Sequence, residues 1–187
     1  RMALAAFHVG GVEGPAETVY LGSFVASALR AVGGYDPEMV RAQDWELNHR
    51  LIDAGGLVWF NPALRVTYRP RRTLRTLGSQ YLQYGQWRRR VMRMHPETAR
   101  RLSALRYFAP PAALLANLAG LAAMLIGLAT GTPLAWLGVV PAAYAGALLL
   151  ISATAFGQLD VRQALRLPFV LASMHMCWGW GFLTSRA

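Results

Sequence analysis

The stretch RAQDWELNHRLIDAGGLVWFNP, residues 41–62, has the pattern of an amphipathic helix, a glycine turn and a short buried strand. Apolar residues recur within it at helical spacing, which predicts a helix over residues 43–54. The pair Gly55-Gly56 is expected to end this helix, because glycine readily adopts the left-handed conformation found at helix C-termini. The first turn carries Asp44, whose side chain has two interpretations: a helix cap or a chemical reagent.

The segments around this stretch alternate predicted strands with short helices. Residues 25–32 predict a helix that ends at Gly33-Gly34. Three segments rich in β-branched and aromatic side chains predict strands: residues 17–24, 57–60 and 64–69. Residues 1–70 are therefore expected to be part of a soluble α/β domain. Three or four short strands bury only a marginal core. We therefore expect the N-terminal half of the domain to be missing from this chain.

The positive charge is concentrated in one segment. The chain has 19 basic and 9 acidic residues, for a net charge of +10, and every basic residue is an arginine. Residues 65–106 hold 12 of these arginines and a single acid, Glu97, while the rest of the chain is close to neutral. Such a segment suits phosphate, nucleic acid or anionic lipid.

The sequence after this segment favours the membrane. Residues 107–157 carry no charge, and a hydrocarbon core needs about 20 apolar residues per helix. We expect two to three transmembrane helices in residues 107–187, with spans at residues 107–130, 134–156 and, near the short limit, 168–184. The excess of arginine places residues 65–106 in the cytoplasm.

Residues 71–106 connect the two parts, and residues 73–94 have the pattern of a basic, amphipathic helix lying in the membrane interface. Gln83, Gln86 and Trp87 fall on one face of this helix. An indole stacks on sugar rings and amides supply directed hydrogen bonds, so the face suits a saccharide. The alternative is that Trp87 is only an interfacial anchor.

Other conspicuous residues have simpler interpretations. His49 is expected on the helix surface, and the four histidines do not cluster at metal-ligand spacing. His175 lies in an apolar segment, where it is either a functional group or a neutral side chain bonded to a neighbouring helix. The glycines of WGWGF, residues 178–182, predict close helix packing. The single Cys177 forms no intrachain disulfide.

Three motifs in fixed order point to a family. GGYDPEMVRAQDWELNHRLIDAGG, VWFNPALRVTYRPR and QYGQW, followed by an apolar tail, begin at Gly33, Val58 and Gln83. In this order they resemble the C-terminal half of membrane-bound family-2 glycosyltransferases of the exopolysaccharide, succinoglycan-synthesis type. The resemblance runs from about Phe7 to Pro96 and, more loosely, through the apolar tail.

The resemblance implies a GT-A fold and an inverting transfer of a sugar from a nucleotide-sugar, a UDP-linked one, to a saccharide or polyprenyl-linked acceptor. The enzyme would be a multi-pass protein of the bacterial inner membrane with its catalytic part in the cytoplasm. The family's acidic pair matches Gln43-Asp44, so Asp44 is implied as the general base, although Gln43 departs from the acidic pattern.

The family's Gln-x-x-Arg-Trp motif matches Gln83, Gln86 and Trp87, with Gln86 in place of arginine. The resemblance implies that Trp87 and Trp45 bind the acceptor. Residues implied to bind the donor diphosphate are Gln83, Gln86, Arg88 and Arg89. The full enzyme is expected to use a divalent cation, Mg²⁺ or Mn²⁺, but no Asp-x-Asp motif occurs in this chain, so its ligands are expected elsewhere.

Two other classes of function compete with the enzyme. A non-catalytic membrane adaptor would use the basic helix to hold anionic lipid or a partner. A nucleic-acid-binding protein would use the same arginines, but these adjoin the predicted transmembrane hairpin directly. The enzyme is preferred because the motifs occur together and in order.

Overall fold

The computed structural model describes residues 12–19, 22–64, 71–99, 105–155 and 159–186. The chain divides into two compact units, Arg1–Pro70 and Arg71–Ala187. The elements of the first unit are β1 (Gly14–Pro15), α1 (Ala26–Ala31), α2 (Gln43–Asp53) and β2 (Trp59–Phe60). Those of the second unit are α3 (Leu74–Met94), α4 (Pro96–Ala99), α5 (Leu105–Thr130), a 3₁₀ helix (Pro133–Gly138), α6 (Val139–Ala153) and α7 (Val161–Thr184).

The strands of the first unit are fewer and shorter than the sequence predicts. β1 and β2 form one antiparallel pair with Gly14 opposite Phe60. The strand predicted for residues 17–24 is wrong at the residues described there; Gly22 lies within it, and glycine weakens a strand because it has no side chain to pack. The strand predicted for residues 64–69 lies outside the described residues, apart from Leu64. The described residues are mostly helical and this strand pair is the one sheet among them, so the α/β class is shown only in part and the GT-A fold stays a prediction.

The helices of the first unit match the sequence pattern closely. α1 is followed by Gly33 and Gly34, whose φ angles of 81° and 72° only glycine adopts readily. α2 ends one residue before the predicted limit and is followed by Gly55 with φ 85°. The buried side of α2 carries Leu47, fully buried, and Leu51. The buried side of α2 is therefore apolar at these two positions, as the amphipathic pattern predicts.

An ion pair joins α2 to the end of α1. Glu46 is only 2% exposed, and Arg50 reaches both of its oxygens, with Nε 2.6 Å from Oε1 and Nη2 2.7 Å from Oε2. The same guanidinium donates to the backbone oxygens of Val32 and Gly34. The hydrogen bond to Glu46 is the main cause that raises the pKa of Arg50. The arginine stays charged, and its contacts join the two helices.

The second unit contains the predicted apolar hairpin. α3 begins where expected, and the hydroxyl of its N-cap residue Thr73 accepts a hydrogen bond from the backbone N–H of Thr76. Of the helices that the structure describes, Leu105–Thr130 and the continuous segment Pro133–Ala153 are long and apolar enough to cross a membrane. Gly131, with φ 66°, makes the break between them. α7, which contains the predicted third span, does not meet the same requirement.

Glycines bring α7 into backbone contact with two other helices. A β-carbon at Gly181 would overlap the carbonyl oxygen of Leu82 in α3, and one at Gly179 would lie 2.7 Å from the carbonyl oxygen of Pro110 in α5. From the other side, a β-carbon at Gly85 of α3 would overlap the backbone of α7 at Trp178. The close packing predicted for residues 178–182 is therefore confirmed, since each glycine of that segment faces a different helix.

We predict that Gly181→Ala separates α3 from α7, because the added methyl has no room against a backbone oxygen. The melting temperature of the detergent-purified protein should fall by several degrees. Gly146→Ala is the matched control: that α6 glycine has nothing within 4 Å of its would-be β-carbon, and alanine is the better helix former by about 1 kcal/mol. Equal melting temperatures for the two variants would contradict the close contact.

We predict that Arg50→Met destabilises the first unit by about 1.5–3 kcal/mol, because it leaves the buried Glu46 carboxylate without its charged donor. The double variant Glu46→Gln/Arg50→Met should recover part of this loss, since no buried charge then remains unpaired. Denaturant unfolding of the three proteins measures the difference. A single variant as stable as the wild type would show that the pair is not holding α1 to α2.

Candidate functional site

The start of α2 decides between the two interpretations of Asp44. The N-cap residue is Ala42, which has a left-handed backbone with φ 61° and makes no side-chain cap hydrogen bond. Asp44 is instead the second residue of the helix, so the cap interpretation is wrong. Ala42 is the only non-glycine residue with positive φ among the described residues. Such a conformation costs of order 1 kcal/mol or more and tends to occur at functional sites.

The Asp44 carboxylate is positioned by Tyr35. The Tyr35 hydroxyl donates to Asp44 Oδ1 over 3.2 Å, and Asp44 is half-buried. Partial burial, together with the adjacent Asp44 charge and this hydrogen bond, raises the pKa of Tyr35 above 10. The phenol therefore stays protonated at neutral pH and remains a donor. The exposed N–H groups at the start of α2 favour a negative charge at the same place.

The other acidic residues of α2 are engaged differently. Both oxygens of Glu46 bind Arg50, and Asp53 Oδ2 lies 3.2 Å from His49 Nε2. His49 is only 3% exposed, so its predicted surface position is wrong. The carboxylate contact and apolar neighbours make burial of this histidine favourable. Asp44 is the acidic residue of α2 whose described contact is to an uncharged hydroxyl.

Trp45, the second residue implied to bind the acceptor, packs within α2. Its ring stacks on His49 with ring centroids 5.3 Å apart and an interplanar angle of 22°. One face of the indole is therefore covered by the protein, and a sugar would have to use the other face or the edge. The acceptor role of Trp45 stays a prediction.

The residues of the QYGQW motif lie in the middle of α3. At about 100° per residue, Gln83, Gln86 and Trp87 fall within an arc of roughly 100°, and all three are half-buried. Their predicted common face is confirmed. The guanidinium of Arg90 lies over the Trp87 ring, 5.0 Å from its centroid. The indole of Trp87 is thus paired with a cation, which orients it.

The arginines that follow Trp87 are used within the second unit. The Arg88 guanidinium lies 4.2 Å from the centroid of the Tyr107 ring in α5. Arg89 Nη1 donates to the backbone oxygens of Phe182 and Leu183, over 2.9 and 2.8 Å. These carbonyls belong to the last turn of α7, which lacks partners inside its own helix. A diphosphate role for Arg88 and Arg89 stays a prediction and would have to compete with these contacts.

His175 has the simpler of its two interpretations. Its Nδ1 lies 3.2 Å from the Tyr144 hydroxyl of α6. The alternative in which His175 is bonded to a neighbouring helix is therefore confirmed. Such a bond satisfies two polar groups among apolar helices. The residue is thereby accounted for by packing.

Sequence reasoning missed two contributors to this geometry. Tyr35 lies nine residues before Asp44, and nothing in the spacing of a loop tyrosine indicates its partner. The role of Arg89 depends on a helix that lies more than ninety residues further along the chain. The Glu46–Arg50 pair was missed as well, although its i,i+4 spacing is a signal that could have indicated it.

Comparison with known proteins gives one partial match. The chain is 31% identical over 157 residues to the succinoglycan biosynthesis protein ExoA of Rhizobium meliloti (strain 1021). The match covers 83% of this chain and 43% of ExoA, so the chain spans less than half of that relative's length. No family model matches the sequence, and no solved structure matches it. The chain is thus similar to a polysaccharide biosynthesis protein across most of its own length.

Proposed function

We propose that this chain is the acceptor-side part of an inverting glycosyltransferase that acts at the cytoplasmic face of the bacterial inner membrane in exopolysaccharide synthesis. The observation that carries the proposal is the placement of Asp44, which does not cap its helix and is held by a neutral hydroxyl. The similarity to a succinoglycan biosynthesis protein supports the substrate class.

The reaction requires a base because a sugar hydroxyl is a poor nucleophile. In the proposed mechanism the Asp44 carboxylate accepts the hydroxyl proton while the acceptor oxygen attacks the anomeric carbon of the donor. The bond to the leaving nucleoside diphosphate breaks with its electron pair, and attack from the opposite side inverts the anomeric carbon. Tyr35 would keep the carboxylate oriented through the bond to Oδ1, leaving the other oxygen for the proton.

The divalent cation expected for the full enzyme does not fit the acidic residues of α2. Both Glu46 oxygens are bound by Arg50, and Asp53 is paired with His49. A hard cation such as Mg²⁺ needs several oxygen ligands at once, and Asp44 alone does not supply them. The proposed mechanism therefore takes no step through a metal on this helix.

Acceptor binding is assigned to the central face of α3. The Trp87 ring is half-buried and oriented by Arg90, and a fixed indole face is suited to stacking on a sugar ring. Gln83 and Gln86, on the same face, would supply amide donors and acceptors for its hydroxyls; the donor-diphosphate role that the resemblance implies for these two residues stays a prediction. Specificity would then come from the amides and binding energy from the ring.

The proposed membrane location is supported by the surfaces of α5 and α6. Large apolar side chains on both helices are exposed, among them Leu128 at 67% and Leu150 at 69%. A core helix of a soluble protein would bury such residues, whereas lipid covers them at no cost. The basic segment before α5 would then face the anionic cytoplasmic leaflet.

We predict that Asp44→Asn, made in the full-length enzyme, lowers the transfer rate by roughly 10²–10⁴ with little change in melting temperature. Asparagine keeps the shape and the oxygen that Tyr35 binds, but it cannot accept the proton. The matched control is Glu38→Gln, an exposed residue of the same unit, which should transfer at the wild-type rate. Glu46→Gln is unsuitable as a control, since it would break the buried ion pair. Normal transfer by Asp44→Asn would instead favour the non-catalytic adaptor.

We predict that Trp87→Ala weakens acceptor use more than donor hydrolysis, because the ring is proposed to bind only the acceptor. Stacking on an aromatic ring contributes of order 1–3 kcal/mol, so the acceptor KM should rise about tenfold or more. Trp136→Ala is the control, since this tryptophan is 82% exposed in the 3₁₀ helix between α5 and α6. Equal losses of transfer and donor hydrolysis in Trp87→Ala would assign this residue a structural role.

A further inference from the structure

Helices α3 and α7 run parallel and side by side. Three contacts define their alignment: Gly78 with Cys177, Leu82 with Gly181, and the Gln86 carbonyl with the Ser185 hydroxyl at 2.9 Å. From each contact to the next, both helices advance by four residues, which is one turn. The C-terminal half of α7 therefore has the same inclination as α3.

The end of α7 is fixed to the cytoplasmic end of the apolar hairpin. Phe182 packs against Phe108 in the first turn of α5, with ring centroids 5.6 Å apart, and Trp178 stacks on Tyr107 at 6.4 Å. Arg89 binds the last carbonyls of the same helix. Residues 182–186 thus lie on the side of the membrane where α5 begins.

The start of α7 is on that side as well. If α5 and α6 both cross, α6 ends where α5 began. Residues 154–160 then lead into α7. The eight residue steps from Ala153 to Val161 reach at most about 29 Å, so this connection could cross the roughly 30 Å of a hydrocarbon core only when fully extended, with its backbone polar groups unpaired in lipid. Ala155 and Leu159, the described residues on either side of positions 156–158, lie close together, since the Leu159 N–H donates to the Ala155 carbonyl over 3.2 Å.

With both ends on one side, α7 has no room to cross. We propose that α7 lies along the cytoplasmic leaflet beside α3, in place of the third span predicted at residues 168–184. The inference rests on the membrane hairpin of the proposed function. The contacts with α3 lie in the C-terminal part of α7, from Cys177 to Ser185. α3 carries five arginines, so α3 itself is unsuited to cross.

The outward surface of α7 suits anionic lipid. Four exposed apolar residues fall within an arc of roughly 100° on the helix: Val161 at 64%, Leu165 at 62%, Phe169 at 66% and Trp180 at 52%. Arg162 and Arg166 are exposed beside them. An apolar stripe bordered by arginines is the surface by which in-plane helices enter the headgroup region, with the guanidinium groups on lipid phosphates.

This placement orients the proposed acceptor face. On α3, Leu77, Tyr81 and Tyr84 point roughly 140° away from the face of Gln83, Gln86 and Trp87, and the contacts with α7 lie on the flank between them. α7 therefore holds α3 by a side that is neither the apolar stripe nor the acceptor face. α7 would thus be the support that prevents α3 from rolling.

The test uses single cysteines in the full-length protein with Cys177→Ser. Arg186→Cys reports the end of α7, Arg93→Cys the cytoplasmic reference on α3, and Thr132→Cys the opposite side, between α5 and α6. Each is labelled with a membrane-impermeant maleimide in spheroplasts and in inverted vesicles. We expect the maleimide to label Arg186→Cys and Arg93→Cys in inverted vesicles, and Thr132→Cys in spheroplasts.

Labelling of Arg186→Cys together with Thr132→Cys would overturn the in-plane helix and leave the hairpin of the proposed function intact. Labelling of all three from one side would overturn both. A second measurement does not depend on which side of the membrane is labelled. Spin labels at Leu165→Cys and Trp180→Cys, about 22 Å apart along the helix axis, should have the same shallow depth in bilayers of anionic lipid. Depths that differ by most of the core would overturn the proposal. None of these readouts depends on sugar transfer.

Discussion

Direct backbone contact between α3 and α7 is the constraint on which the second unit depends. Gly85 and Gly181 leave no space for a β-carbon between the two helices, so the helices approach as closely as their backbones permit. At that distance Arg89 reaches the final carbonyls of α7, and the Ser185 hydroxyl reaches the Gln86 carbonyl. The motif residues Gln83, Gln86 and Trp87 are therefore carried by a helix whose rotation is fixed by a neighbour.

Arginine has two different uses in this chain. Arg50 neutralises a buried glutamate and satisfies two helix-end carbonyls in the first unit. Arg88, Arg89 and Arg90 bind aromatic rings or backbone oxygens in the second unit. A guanidinium suits such positions because it keeps its charge and offers several donors in one plane. A count of arginines therefore overstates the charge available for phosphate or lipid.

The candidate chemistry depends on keeping one carboxylate apart from its neighbours. Within α2, Glu46 is held by a cation and Asp53 by an imidazole, whereas Asp44 is held by a neutral phenol. A base must be ionised and must still have an oxygen that can take a proton. Under the proposed function, a sugar hydroxyl would be the source of that proton.

The sequence by itself determined the elements whose signals are local. The glycines after α1 and α2, the start of α3 at Thr73 and the break at Gly131 were predicted because each depends on a few adjacent residues. The apolar hairpin was predicted because length and lack of charge suffice to identify it. The order of motifs also indicated the family resemblance, which needs no tertiary structure.

Only the tertiary structure decided which groups meet. That Tyr35 binds Asp44, that His49 is buried and that Arg89 ends α7 follow from contacts in the folded chain that the local sequence pattern does not indicate. The strand expected at residues 17–24 failed because strand formation depends on partners, which local composition does not report. The position of α7 is the clearest case: its composition is compatible with a span, and the proposal that it lies in the plane of the membrane rests on its tertiary contacts with α3 and α5.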